Sequence, residues 1–208
     1  VLNFCSMAFA EETVFMSAWQ QLSVDEHLSI VYSLQRSGKY DGAEQRLNYL
    51  LSEDPGSPFL RFEQAKNSEY KEEYLLAVDD YRALLEEKLT SDLRLNVRYR
   101  YGLVLSNLGE HKKANKIARK LRRNISLSAT DRRAVSLVLG TTQLQSGKKK
   151  KGISRIQNTL NKLASSQEHS WLQSRAKMAL AEELLFQATQ IELIPSRELN
   201  ESLKERAD

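Results

Sequence analysis

The sequence predicts an all-α chain, a stack of about four helical hairpins, and three observations carry that prediction. Apolar residues recur at three-to-four spacing almost throughout, as in Leu47, Leu50 and Leu51 or Val78, Tyr81, Leu84 and Leu85, which is the period of a helix and not of a strand. Only three prolines and eight glycines interrupt 208 residues, so long helices are allowed. Segments carrying a small residue return at a step of a few tens of residues, the pattern of units that bury their apolar faces only against neighbours.

The composition is globular: 41% hydrophobic and 28% charged residues are too apolar and too mixed in sign for a disordered chain. Residues 1–10 read as the tail of a secretory signal, because Ala8 and Ala10 occupy small-residue positions ahead of Glu11 and Glu12. The alternative is an apolar segment that packs on the first helix. Residues 11–23, with Val14, Phe15, Ala18, Trp19 and Leu22 on one face, predict a short N-terminal capping helix. The single cysteine, Cys5, can form no internal disulfide and leaves the redox compartment open.

Breaks fall at Asp54-Pro55-Gly56, Thr90-Ser91-Asp92, 124–128 and Ile194-Pro195. Helix starts follow the first three. Ser23 with Glu26 and Ser128 with Asp131 have capping-box spacing, and Ser57 precedes Pro58, a proline suited to a first helical position. The hairpins are expected at 24–57, 58–94, 95–132 and 133–163. A long helix over 168–192, bearing Trp171, Ala176, Ala179, Leu180, Leu184 and Phe186, and a short one over 196–207 are expected to cap the open end within 164–208.

The repeat can be aligned residue by residue. Ala43 follows Gly38 and Tyr40, Ala77 follows 34 residues later, then Ala114 after Gly109, then Gly152 after Gly147. Helix A of each unit carries Val31, Ala65, Gly102 or Gly140, and four residues after the helix-B small residue stand Leu47, Tyr81, Ala118 and Ile156. Over roughly residues 24–163 this resembles the tetratricopeptide repeat family, with Pro55 as the closing proline of the first unit. Glu72 stands where the second unit's turn glycine belongs, and the third and fourth units lack the proline and are three or four residues longer.

The resemblance implies a right-handed α-solenoid with a concave groove lined by the A helices. Its groove positions fall on Asp25, Leu28 and Tyr32; Phe59, Phe62 and Lys66; Asn96, Tyr99 and Leu103; and Ala134, Leu137 and Thr141. Of these, Leu28, Tyr32, Phe59, Phe62, Lys66, Tyr99, Leu103 and Leu137 are the expected peptide contacts, with Phe62 and Tyr99 as exposed aromatic anchors. The resemblance also disfavours the subclass that clamps a C-terminal carboxylate, since Leu28 and Tyr32 stand where lysine and asparagine are required.

Catalytic and metal chemistry find no support. His27, His111 and His169 are far apart, no HExxH or paired-cysteine spacing occurs, and Gly38, Gly109 and Gly147 are isolated turn glycines rather than a phosphate loop. No cofactor and no enzyme activity are expected.

Charge is segregated. Residues 11–93 carry 17 acidic and 8 basic side chains, a net −9, whereas 111–163 carry 15 basic and one acidic, a net +14. Lys112, Lys113, Lys116, Arg119, Lys120, Arg122 and Arg123 on one B helix and its end, with the run Lys148, Lys149, Lys150 and Lys151 in the next hairpin turn, predict a basic edge. Such an edge either serves solubility or meets an anionic partner, which is an acidic protein, a nucleic acid or an anionic envelope polymer, and the absence of aromatics among the lysines disfavours single-strand stacking. The expected function is a protein–protein interaction module holding a peptide or helix, in a bacterial periplasm or secreted, within reach of a membrane-associated complex. The alternatives are a cytoplasmic adaptor binding nucleic acid through the edge 112–151, or a regulatory fragment of a larger protein.

Overall fold

The computed structural model describes residues 19, 21–123, 127–163, 170–189 and 204–206. Among them every regular element is helical. The chain divides into two compact units, Val1–Leu93 and Arg94–Asp208. The first holds α1 (Val24–Arg36), α2 (Tyr40–Glu53), α3 (Pro58–Tyr70) and α4 (Tyr74–Glu86). The second holds α5 (Ser91–Asn107), whose first turn precedes the division, then α6 (His111–Arg122), α7 (Ala129–Gln145), α8 (Lys149–Leu163) and α9 (Ser170–Thr189).

Helix starts follow from their caps. Ser23 and Ser128 each accept from the backbone N–H three residues on, and the carboxylates of Glu26 and Asp131 return to the cap N–H, so two otherwise unpaired donors are satisfied at each end. Ser57 accepts from Leu60 N–H ahead of Pro58, whose missing N–H costs nothing in the first turn.

The turns inside the four hairpins share one backbone scheme. Gly38, Glu72, Gly109 and Gly147 have φ of +74°, +62°, +77° and +80°. The N–H of the next residue donates back across the turn, Lys39 to Leu34 O at 2.9 Å, Glu73 to Ser68 O at 3.0 Å, Glu110 to Leu105 O at 2.8 Å and Lys148 to Gln143 O at 2.9 Å. These are Schellman closures, in which one left-handed residue satisfies the last helix carbonyls. The chain therefore reverses at the same point in each hairpin, and Glu72 is made to adopt the conformation its three counterparts reach as glycine.

Reversal at a fixed point sets where the paired helices cross, and those positions are small. Ala43, Ala77 and Ala114 have no exposed surface, and neither do Val31 and Ala65 on the facing helices. The fourth hairpin is tightest. A Cβ on Gly152 would lie 2.6 Å from Leu144 N, and one on Gly140 would lie 2.8 Å from Ile156 Cγ1. One turn past the crossing, Leu47, Tyr81, Ala118 and Ile156 are all fully buried. Full burial of a Leu or Ile contributes about 1.5–3 kcal/mol. Ala118 fills little space, and Tyr99, Leu103 and Leu121 close the core beside it.

The first unit adds buried polar pairs. Glu69, 2% exposed, accepts from the Tyr81 hydroxyl at 2.9 Å, and Asn67 donates to Tyr40 O at 2.9 Å. Lys71 lies within 3.1 Å of Asp41, Glu44 and Glu73, which hold its ammonium well above the usual lysine range, so it stays charged between hairpins. Trp19 is buried against His27 and Tyr49, with the Arg46 guanidinium 4.5 Å from its ring centre.

The second unit has one larger core, which runs from Tyr99 and Leu103 of α5 through α6, α7 and α8 to Leu172 and Ala176 of α9. The capping helix differs from expectation beyond that point. Leu184, Leu185 and Phe186 are 63%, 67% and 50% exposed, because only the first half of α9 finds core to pack on. The expected signal remnant 1–10, most of the N-terminal cap and most of 196–207 lie outside the described residues.

Two substitutions test this geometry. Gly152→Ala is expected to lower stability by about 1–3 kcal/mol, since the methyl meets backbone that cannot rotate away; an unchanged melting temperature would remove the close crossing. Glu72→Gly is expected to raise stability by about 0.5–1 kcal/mol, because a left-handed L-residue costs about 1–2 kcal/mol and glycine's extra freedom when unfolded returns part of that. A lower melting point for that variant would count against the shared turn.

Candidate functional site

The expected groove residues divide between the two units. In the first, Leu28 is 8% exposed and packs with Leu50 and Leu60, so it is core. Phe62 is 6% exposed, its ring 6.1 Å from that of Tyr81. Lys66 is held by Glu63 at 2.6 Å, with its ammonium 5.2 Å from the Tyr32 ring and 5.7 Å from the Phe62 ring. Burial and the Glu63 carboxylate push the Tyr32 phenol up to about 12, so it remains neutral. Phe59, at 42%, is the expected aromatic that offers substantial surface.

In the second unit Tyr99, Leu103 and Leu137 are 6%, 3% and 1% exposed, all within one core cluster. The expectation that Phe62 and Tyr99 stand out as anchors is therefore corrected. The reason is packing: the Phe62 ring is covered beside Tyr81 of α4, and the Tyr99 ring is consumed in the cluster that holds Leu103, Ala118 and Leu121.

The basic residues lie together in the second unit. Lys112, Lys116, Arg119, Lys120 and Arg123 share one outer face of α6, at helical spacing. Lys113 is drawn aside to Glu110 at 3.1 Å. Lys148 is exposed in the turn before α8. Lys149 is engaged within the fold: its ammonium lies 2.8 Å from Glu183 and 4.4 Å from the Phe186 ring centre, tying α8 to α9. Lys150 and Lys151 turn the other way, into an open concavity.

That concavity, about 1000 Å³, is lined by α7 and α8 together with Arg122 of α6. Its cations are Arg122, Arg132, Arg133, Lys150, Lys151, Arg155 and Lys162, and no lining residue is acidic. The antiparallel hairpin sets their order. Thr159 Oγ1 lies 3.1 Å from Ser136 Oγ and Arg155 Nε donates to Gln143 Oε1 at 3.1 Å, so Lys162 falls beside the start of α7 and Lys150 beside its end. Cations thus occupy both ends, and Ser136, Asn158 and Thr159 line the middle. The floor residues Val135 and Leu139 are 1% and 3% exposed, so the surface presented is polar and cationic. Arg132 Nε is spent on Leu127 O at 3.0 Å, whereas Arg122, Arg133, Lys150, Lys151 and Lys162 make no ion pair with any described residue.

No family model matches the chain, and no curated protein does. Four solved chains match. Among them is one titled "MamA RS-1 ArsTM double mutant", 16% identical, with a TM-score of 0.49 over 80% of this chain and 95% of that one.

Arg132, Arg133, Arg155 and Lys162 are absent from the sequence expectation, which followed the cations of α6, Arg122 among them, and the lysine run 148–151. Their signal was spacing: Lys151, Arg155 and Lys162, with Asn158 between, recur on one face of α8. Among the described residues no three His, Cys, Asp or Glu side chains gather as a cation site, and no helix is long and apolar enough to cross a membrane.

The Lys149–Glu183 contact gives a pH test. The lysine holds the Glu183 carboxyl below its ordinary 4.5, so the pair stabilises above that pH and its contribution is lost as pH falls through the depressed value. Because Lys149 is 42% exposed, Glu183→Gln is expected to cost only about 0.2–1 kcal/mol at neutral pH. The melting-temperature gap between wild type and variant should close as pH falls below the depressed Glu183 value; a gap that persists once the carboxyl is protonated would separate α9 docking from this ion pair.

Proposed function

We propose that the chain is a non-enzymatic protein-binding scaffold built of tetratricopeptide-like hairpins. The observation that supports this most directly is the repeated hairpin itself, four reversals with one left-handed residue and one small crossing position in each. Such a unit leaves long helix faces open to solvent, which suits recognition of another chain. Export to a periplasm or to the exterior rests on residues 1–10 alone, with the cytoplasm as alternative.

A second reading has its own observation. The outer face of α6 carries five cations, and a polyanion could follow it without entering any groove. Binding through that face would fall steeply with salt, because each neutralised phosphate releases condensed counterions.

Affinity capture of the tagged, folded chain from its native cells tests the leading reading. One protein is expected to co-purify in near-stoichiometric amount and to survive nuclease treatment. Recovery of the chain alone, or a capture that nuclease abolishes, would sink the scaffold reading, the latter in favour of a nucleic-acid adaptor.

A further inference from the structure

We propose that the furrow between α7 and α8 binds an extended acidic peptide segment with carboxylates at alternate positions. The proposal rests on the protein-binding reading and names both the surface and the partner's chemistry. It moves the peptide site away from the A-helix positions, whose large side chains are buried, to a concavity lined by seven cations and by hydrogen-bonding groups from two facing helices, with no acid.

Three features select the occupant. The first is charge. Arg122, Arg133, Lys150, Lys151 and Lys162 are unpaired with any described residue, so a ligand carboxylate would not have to displace an internal one. The side chains whose inward position the fold fixes are arginines 133 and 155, half-buried in the walls, and a guanidinium in a wall can grip a carboxylate with two parallel bonds.

The second is length and register. From Lys150 to Lys162 the α8 wall rises ~18 Å at ~1.5 Å per residue. An extended strand of about five or six residues covers that distance at ~3.3 Å each. Successive turns of α8 place Lys151 and Arg155 ~6 Å apart along the axis. Alternate residues of a strand are separated by ~6.6 Å, so every second side chain can meet the next turn. The exposed polar residues of the α8 wall, Ser154 and Asn158, then face the ligand backbone and shorter side chains.

The third is exclusion. No aromatic lines the furrow, so single-stranded bases have no stacking platform. Val135 and Leu139 are almost wholly covered, so an apolar helix face has nothing to bury.

The test uses the purified chain and a blocked, labelled hexapeptide that alternates glutamate with serine, followed by fluorescence anisotropy. A glutamine-for-glutamate peptide and a short DNA duplex serve as competing probes. Binding of the glutamate peptide, weakened by salt and at least about tenfold by Arg133→Glu with Arg155→Glu, is expected. Lys112→Glu with Lys116→Glu changes the net charge equally but lies on α6 and is expected to cost less than about threefold, the screened effect of distant charge. Should the first variant lose helicity by circular dichroism, Lys151→Ala with Lys162→Ala replaces it with the same expectation. No peptide binding by wild type, equal binding of the glutamine peptide, or equal loss in the α6 variant would overturn the proposal. Preferential duplex binding that the α6 variant abolishes would overturn it in favour of the polyanion face. Because the titration needs only the chain and the peptide, it can fail while partner capture in cells succeeds, and the scaffold reading would then stand without this groove.

Discussion

In each hairpin the backbone turns through one left-handed residue, and that reversal delivers two helices to a crossing where a methyl group or less must stand. The separation at the crossing follows: at Gly152 a Cβ would collide with the Leu144 backbone. Everything else in the hairpin is referred to that contact. The residue one turn later is driven into the interface, which is why Leu47, Tyr81 and Ile156 are fully buried. Side chains two and three residues away are turned outward. Since close-packed interiors transmit small shifts instead of absorbing them, a displacement at the crossing would move the outward rows as well.

The cationic furrow is a product of the same constraint. Close approach at Gly140 and Gly152 brings α7 and α8 together at their adjoining ends, and the antiparallel course then sets Lys162 beside the first turn of α7 and Lys150 beside its last. Charges of one sign on two such helices cost electrostatic energy. The long stems of lysine and arginine hold the charges in water while their methylenes cover the floor, so the fold tolerates them. On the other side, α9 neutralises a single lysine, Lys149, through Glu183. The remaining cations stay available, and that excess is what an acidic partner would answer.

The two units solve stability differently. The second relies on one continuous apolar cluster with glycine at two of its crossings. The first has smaller apolar clusters and supplements them with polar partners, the buried pair of Glu69 with Tyr81 and the solvent-accessible carboxylates that surround Lys71. Buried carboxylates are stable only when each finds its donor, so the hydrogen bonds of that unit are as demanding of geometry as its packing.

By itself the sequence determined the helical class, the cap residues, the turn positions and the small residues at the crossings, down to Glu72 in a glycine's place. Each is a local matter of φ, of a cap oxygen, or of the volume at one residue, and local chemistry is legible in one dimension. Only the tertiary structure decided which residues stay exposed. Phe62 and Tyr99 looked like anchors by position and are core, since the neighbouring elements that cover them are remote in sequence. Lys149 and Lys150 are adjacent in sequence yet separated in role, one bound to α9 and one open to the furrow, because successive residues on a helix point about 100° apart. Arg133 and Lys162 become neighbours only when α7 and α8 pack, since 28 residues separate them in sequence.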